Sequence, residues 1–146
     1  MALSTRRRRA AAAARTAGVD ALLVTHLPDV RWLSGFTGSN AALVLMAPKN
    51  GTAKAALFTD GRYTAQAKAE ARGVRVVIAQ KNAAVAASEW LADAKVRCCG
   101  FDDGNTTVAA LKQMRAALPA KKRRGLFEPV GALVSMLRWV DRKSVV

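Results

Sequence analysis

The stretch GFTGSNAALVLMAPKNGTAKAALFTDGRY, residues 35–63, decides the fold. Two apolar runs, Ala41 to Ala47 and Lys54 to Thr59, flank the turn signal PKNGT, so they read as the strands of an antiparallel hairpin. The segment GFTGSN leads into the first strand and TDGRY leaves the second. In TDGRY, Asp60 is placed to cap a helix beginning near Arg62, Gly61 to permit the strand-to-helix turn, and Tyr63 to pack back over the sheet while its hydroxyl finds a polar partner.

Upstream of this hairpin, Ala21 to Thr25 reads as a buried strand ended by Leu27-Pro28, and Asp29 to Leu33 as a short helix or turn. Downstream, Arg62 to Arg72 is rich in helix formers and stops at Gly73, and Val74 to Ala79 is a β-branched strand. Ala83 to Lys95 is a helix with Val85, Trp90, Leu91 and Ala94 available for one face. Arg97 to Phe101 is a short strand, followed by a helix with Val108, Leu111, Met114 and Leu118 in phase and Thr106 or Thr107 as its cap. A last strand spans Arg124 to Phe127, and a last helix starts at Pro129 with Val130, Leu133, Val134, Leu137 and Val140 on one stripe. Strands separated by helices require crossovers and parallel pairing, and the hairpin adds one antiparallel neighbour. The expected fold is a single α/β domain, a three-layer α/β/α sandwich on a mixed, mainly parallel sheet.

The chain has 146 residues, enough for one core, and no window approaches the length of apolar residues needed to span a bilayer. Its formal charge is +14, which raises nucleic acid or an acidic surface as a partner. Two runs, Arg6 to Arg9 and Lys121 to Arg124, hold eight of the 24 basic residues, leaving 16 against ten acids, so most of the excess is local. Each run reads as a solvated surface, since neither is interleaved with stacking aromatics. Residues 1–17 form a leading basic helix; their Arg-rich, acid-free composition also suits an organelle transit peptide, but the hinge Ala17-Gly18 into the first strand favours an integral element. A cytoplasmic location is the default.

The stretches VDALLVTHLPDVRWLSGFTGSNAALVL, residues 19–45, and ALFTDGRYTAQAKAEA, residues 56–71, resemble the amino-terminal domain of Xaa-Pro aminopeptidases and prolidases of the creatinase/prolidase family. A weaker likeness continues through GFDD at residues 100–103 and LFEPVGALVSMLRWV at residues 126–140. The resemblance covers essentially the whole chain and implies a domain with a ribonuclease H-like motif, in agreement with the layers read above. It implies that hydrolysis belongs to a separate carboxy-terminal domain, where two divalent metal ions, commonly manganese, are held by two Asp, one His and two Glu. This chain has one histidine and ten acids without a cluster at metal-ligand spacing, so no peptidase activity is expected of it alone. The resemblance further implies that Phe36, Ser39 and Asn40 shape the end of a substrate cleft, commonly that of a neighbouring subunit. Arg62 and Tyr63 lie at an interdomain or subunit contact on the same grounds, and residues 141–146 begin the interdomain linker. The implied partners are the catalytic domain, further copies of the chain in a homo-oligomer, and Xaa-Pro peptides.

The loop Gly35 to Asn40 offers backbone N–H groups that could cradle an anion, but it lacks the Gly-Lys-Ser/Thr ending of a P-loop and reads equally as a tight turn. His26, the sole histidine, could act as base or ligand, yet a lone histidine is more often a hydrogen-bonded structural residue. The adjacent Cys98 and Cys99 should point to opposite faces of a strand, where a mutual disulfide would be strained, and read as small buried hydrophobes. Trp32 and Trp90 read as core, whereas Trp139 ends the last helix. The competing reading is a stand-alone basic module that binds nucleic acid through the two cationic runs.

Overall fold

The computed structural model describes residues 1–144. In chain order its elements are α1 (Leu3–Thr16), β1 (Ala21–Val24), α2 (Leu27–Ser34), β2 (Ala42–Met46), β3 (Ala55–Asp60), α3 (Thr64–Glu70), β4 (Arg75–Ala79), α4 (Ala83–Asp93), β5 (Cys99–Phe101), α5 (Val108–Ala116), β6 (Phe127–Pro129) and α6 (Leu133–Ser144). The strands form one sheet in the order β4-β3-β2-β1-β5-β6. Only β2 runs against the rest, pairing antiparallel with β1 and with β3, while β3·β4, β1·β5 and β5·β6 are parallel. This is the mixed, mainly parallel sheet expected from one hairpin among crossover connections.

Successive strand residues point to opposite faces, and both faces are covered. Leu22, Val24, Leu43, Leu45 and Leu57 pack with α1, α2, α3 and α6 on one side. Ala21, Leu23, Val44, Ala56 and Phe58 pack with α4 and α5 on the other. The vicinal cysteines follow the same alternation: Cys98 packs against the first cluster and Cys99 is buried in the second. Burial pushes both thiols up.

The first basic run is largely interior. Arg7 falls in helical phase with Ala10, Ala11 and Ala14, the buried stripe of α1. Its guanidinium donates to the carbonyls of Leu33 at 2.8 Å and Arg72 at 3.1 Å, tying α1 to the end of α2 and to the turn after α3. Gly73 has φ +70°, and a Cβ there would lie 2.4 Å from Arg7 Nη2, so glycine meets both the turn and the arginine crossing it. Arg6 donates to the Trp32 carbonyl at 3.1 Å and stands 5.3 Å from the Trp32 ring centroid. Arg8 and Arg9 are exposed. The solvated reading therefore holds for half of the run only.

Helix α6 is held by two buried carboxylates. Asp29, on α2, accepts from Ser135 Oγ at 2.7 Å and Arg138 Nε at 3.0 Å. Asp141 accepts from Trp32 Nε1 at 3.1 Å and lies 3.8 Å from Arg6. Paired charges of this kind tolerate burial because each keeps hydrogen-bonding partners.

Several boundaries differ from expectation. The helix placed at Arg62 to Arg72 begins as a 3₁₀ turn, Gly61–Tyr63, and ends at Glu70. Pro129 closes β6 rather than opening α6, which starts at Leu133 after Gly131 in a left-handed conformation. On α4 the buried face is Ala83, Ala87, Ser88 and Leu91, with Val85 only half-buried. Val108 and Val140 are exposed, because α5 and α6 each turn one apolar residue of the expected stripe outward. The stretch 141–146 was expected to start a linker; its first residues continue α6 to Ser144, and residues 145–146 lie outside the described residues.

Two outcomes test this packing by denaturant unfolding. Arg7→Met should cost roughly 1–3 kcal/mol by stranding two carbonyls, whereas Arg8→Met should stay within about 0.5 kcal/mol. A Cβ on Gly100 would sit 2.9 Å from Val130 Cγ1 and 3.0 Å from Leu22 Cδ2, whereas nothing lies within 4 Å of one on Gly61. Gly100→Ala should therefore destabilise by about 1–3 kcal/mol, and Gly61→Ala should change stability by no more than about 0.5 kcal/mol.

Candidate functional site

The two motifs meet because β2 is reversed. Ala42 pairs with Phe58, so the residues before β2 lie beside the residues after β3. The loop begins at Gly35, whose φ of +84° ends α2 and whose N–H returns to the Arg31 carbonyl at 2.7 Å. A side chain there would also meet the Glu70 carbonyl oxygen at 2.9 Å. Phe36 follows and turns into the core at 1% exposure, edge-on to Tyr63 with ring centroids 5.7 Å apart. Its ring is the apolar plug beneath the loop, and the residue also borders the open cleft on the α2 side. Gly38 lies over that ring, with a virtual Cβ only 2.3 Å from Phe36 Cζ.

Ser39, Asn40, Arg62 and Tyr63 are brought together through Asp60, a residue assigned only a capping role. Asp60 Oδ1 accepts from Arg62 N and Nε, both at 3.0 Å, while its Oδ2 accepts from Arg62 Nη2 at 2.9 Å and Asn40 Nδ2 at 2.7 Å. The Arg62 side chain beside it, then Asn40, holds the Asp60 carboxyl well below the usual carboxylate range, and Asp60 in turn raises Arg62. The Ser39 and Tyr63 hydroxyls share a hydrogen bond at 2.5 Å, which lowers the Tyr63 phenol. Thr59 Oγ1 donates to the Asn40 carbonyl at 2.6 Å, and Asn40 Oδ1 accepts from Ala83 N at 3.4 Å, linking the loop to α4. Arg62 is solvent-exposed, its side chain 72% accessible, and its ring contact with Tyr63 is 5.3 Å from guanidinium carbon to centroid. Its carboxylate partner is Asp60, within the same motif. Gly61 has no positive φ and no close neighbour, so the turn does not demand glycine.

The loop does bind an anion through its backbone, but the anion is its own. Glu70 accepts from Thr37 N at 2.9 Å, Thr37 Oγ1 at 2.9 Å and Gln66 Nε2 at 3.2 Å, and these bonds lower its carboxyl from the ordinary value. Sequence reasoning passed over Glu70, whose partner Thr37 is 33 residues away. His26 takes the N-cap position of α2 with its carbonyl, which accepts from Asp29 N at 3.0 Å and Val30 N at 3.1 Å, and its ring does not cap the helix. Trp32 is buried, Trp90 is half-buried against Phe58, and Trp139 is 59% exposed. In the second basic run, Lys122 donates to the Ala92 carbonyl at 2.6 Å and Arg123 to that of Leu118 at 3.0 Å, so two of its four charges serve local structure.

Chemically the arrangement is a braced ledge. Ser39 and Arg62 face solvent, Asn40 and Tyr63 are half-buried, and each is hydrogen-bonded to a neighbour. Such a surface can position a ligand or another polypeptide. Among the described residues no group of three or more His, Cys, Asp or Glu could hold a metal ion. No helix among them is long and apolar enough to cross a membrane.

Comparison with known proteins agrees with this geometry. Residues 6–140 match the Creatinase/Prolidase N-terminal domain. An uncharacterized peptidase of Bacillus subtilis, YqhT, is 27% identical over 129 residues, which is 88% of this chain and 34% of that protein. The chain thus spans about a third of the length of that curated relative. The crystal structure of the N-terminal domain of the cytoplasmic peptidase PepQ from Mycobacterium tuberculosis superposes with a TM-score of 0.83 at 33% identity, covering 92% of this chain and 99% of that one. The fold is also that of part of the Xaa-Pro dipeptidase from Bacillus anthracis, with a TM-score of 0.80 at 23% identity over 94% of this chain and 36% of the other. Such domains are therefore found within larger peptidase chains, and this chain belongs to the creatinase/prolidase N-terminal domain family.

Proposed function

We propose that this chain is the noncatalytic amino-terminal domain of a proline-specific metallopeptidase, similar to Xaa-Pro aminopeptidases and prolidases, and that it shapes the substrate cleft and helps to hold subunits together. The observation that carries the reading is the match over residues 6–140 to a domain that makes up about a third of a peptidase chain. Among the described residues no side-chain cluster fits a two-metal centre, and the paired divalent ions, commonly manganese, belong in this reading to a carboxy-terminal domain. The role left to this domain is positional. Thr37 to Asn40 is braced by Glu70, Tyr63 and Asp60, and a stiff loop of this kind can restrict a cleft without itself taking part in the chemistry. Met136, Trp139 and Val140 expose an apolar face on α6 that suits association with a second domain or subunit. A cytoplasmic location accompanies the proposal. Nucleic-acid binding is not favoured, since Arg6, Arg7, Lys122 and Arg123 are engaged with the fold.

The test is hydrolysis of a Xaa-Pro peptide with manganese by the product of the full reading frame that contains this chain, beside residues 1–146 alone. Metal-dependent cleavage is expected from the longer product and none from the shorter; cleavage by residues 1–146, or none by the longer product, would sink the proposal. Within the longer product, Tyr63→Phe keeps the ring on Phe36 and removes the bond to Ser39. Loss of about 1 kcal/mol of loop bracing should raise KM roughly fivefold with kcat little changed.

A further inference from the structure

On the α1, α2 and α6 side of the domain, next to the loop Thr37 to Ser39, lies an open cleft of about 1070 Å³. Four arginines line it, Arg6, Arg31, Arg138 and Arg142; Arg6 faces the lining carboxylate Asp141 and Arg138 is paired with the buried Asp29, so Arg31 and Arg142 supply the excess positive charge. Leu3, Leu27, Pro28 and Trp32 add apolar wall between the guanidinium groups. Two of the arginines are fixed before any ligand arrives. Arg6 is held by the Trp32 carbonyl and ring, and Arg138 by Asp29, which accepts from its Nε. Arg31 and Arg142 are exposed.

We propose that this cleft is a subsite for the carboxylate-bearing end of a short peptide, the apolar wall receiving the residue that carries the carboxylate. The proposal rests on the peptide-handling reading above, and adds to it a ligand site on this domain. The volume suits a ligand of a few residues. A cluster of guanidinium groups selects for an anion, and pre-fixed arginines lose less freedom on gripping it. The apolar surface beside them selects for an organic anion over an inorganic one. Asp141 is matched by Arg6, and the unmatched guanidinium groups are the exposed Arg31 and Arg142.

The experiment uses residues 1–146, isotope-labelled, with Ala-Pro-Leu as the free acid, its carboxy-terminal amide, and inorganic phosphate. The PepQ domain, solved as an isolated structure, shows that a domain of this kind stands alone. The Trp32 indole N–H, bonded to Asp141 inside the cleft, is the reporter, together with the amides of residues 27–39 and 138–142. The free acid should shift these signals saturably, the amide should bind about tenfold more weakly, and Arg31→Glu with Arg142→Glu should weaken the free acid by at least that factor. Lys112→Glu with Arg124→Glu, in a separate cationic groove, should leave binding unchanged. Equal binding of acid and amide, displacement of the peptide by an equal concentration of phosphate, or no shift at about 10 mM peptide would each overturn the subsite. These readouts do not involve hydrolysis. Binding here without cleavage by the longer product would sink the proposed function and leave the subsite standing, and the reverse result would do the opposite.

Discussion

Everything distinctive about this domain depends on the reversed direction of β2. A strand running against its neighbours in the middle of a sheet places its own start beside the end of β1 and the end of β3, as the pairs Leu43 with Val24 and Ala42 with Phe58 record. The loop that feeds β2 and the turn that leaves β3 are thus forced onto one edge of the molecule, although they are about twenty residues apart in sequence. If β2 were parallel, Asn40 and Asp60 would lie at opposite ends of the sheet. The braced ledge of Ser39, Asn40, Asp60, Arg62 and Tyr63 is a product of topology first and of side-chain chemistry second.

A second theme is where the charge goes. A chain with 24 basic and ten acidic residues invites an electrostatic account of function, yet several of the charges are structural. Arg6 and Arg7 satisfy carbonyls at the end of α2, where a cation also complements the helix dipole. Asp29 and Asp141 accept from groups on the facing helix, and Asp60 and Glu70 each hold one end of the loop. The acids are few, but those four sit where a carboxylate collects two or more donors. The remaining cations are left in excess outside, which is the state an anion-receiving surface requires.

The strands and the hairpin were legible because apolar runs, Asn-Gly and Pro punctuate them strongly, and the family resemblance lay in the same segments. The ledge was legible in part: Ser39, Asn40, Arg62 and Tyr63 stand in two glycine-containing motifs flanking one hairpin. What the sequence concealed were pairings across distance. Nothing local says that Glu70 will close on Thr37, or that Asp60 will take both Asn40 and Arg62. The burial of Phe36 was not legible, because a residue in a polar, glycine-rich loop gives no periodic signal and its ring packs on Tyr63 from another motif. Arg7 did carry a signal, since it is in phase with Ala10, Ala11 and Ala14, but a run of four arginines obscured it. Asp141 likewise falls seven residues after Val134 on the buried side of α6, an acid on an apolar stripe that marks a partnered carboxylate.

The carboxylate clamp between α2 and α6 also governs how the domain would carry a load. Peeling α6 away would leave Asp29 without Ser135 and Arg138, at a cost of roughly 3–5 kcal/mol for an uncompensated buried charge. Asp141 would lose Trp32 at the same moment, so the two ends of the helix cannot be released one after the other cheaply. Both ends of α6 are thus fastened to α2, the helix whose last turn runs into the loop at Gly35.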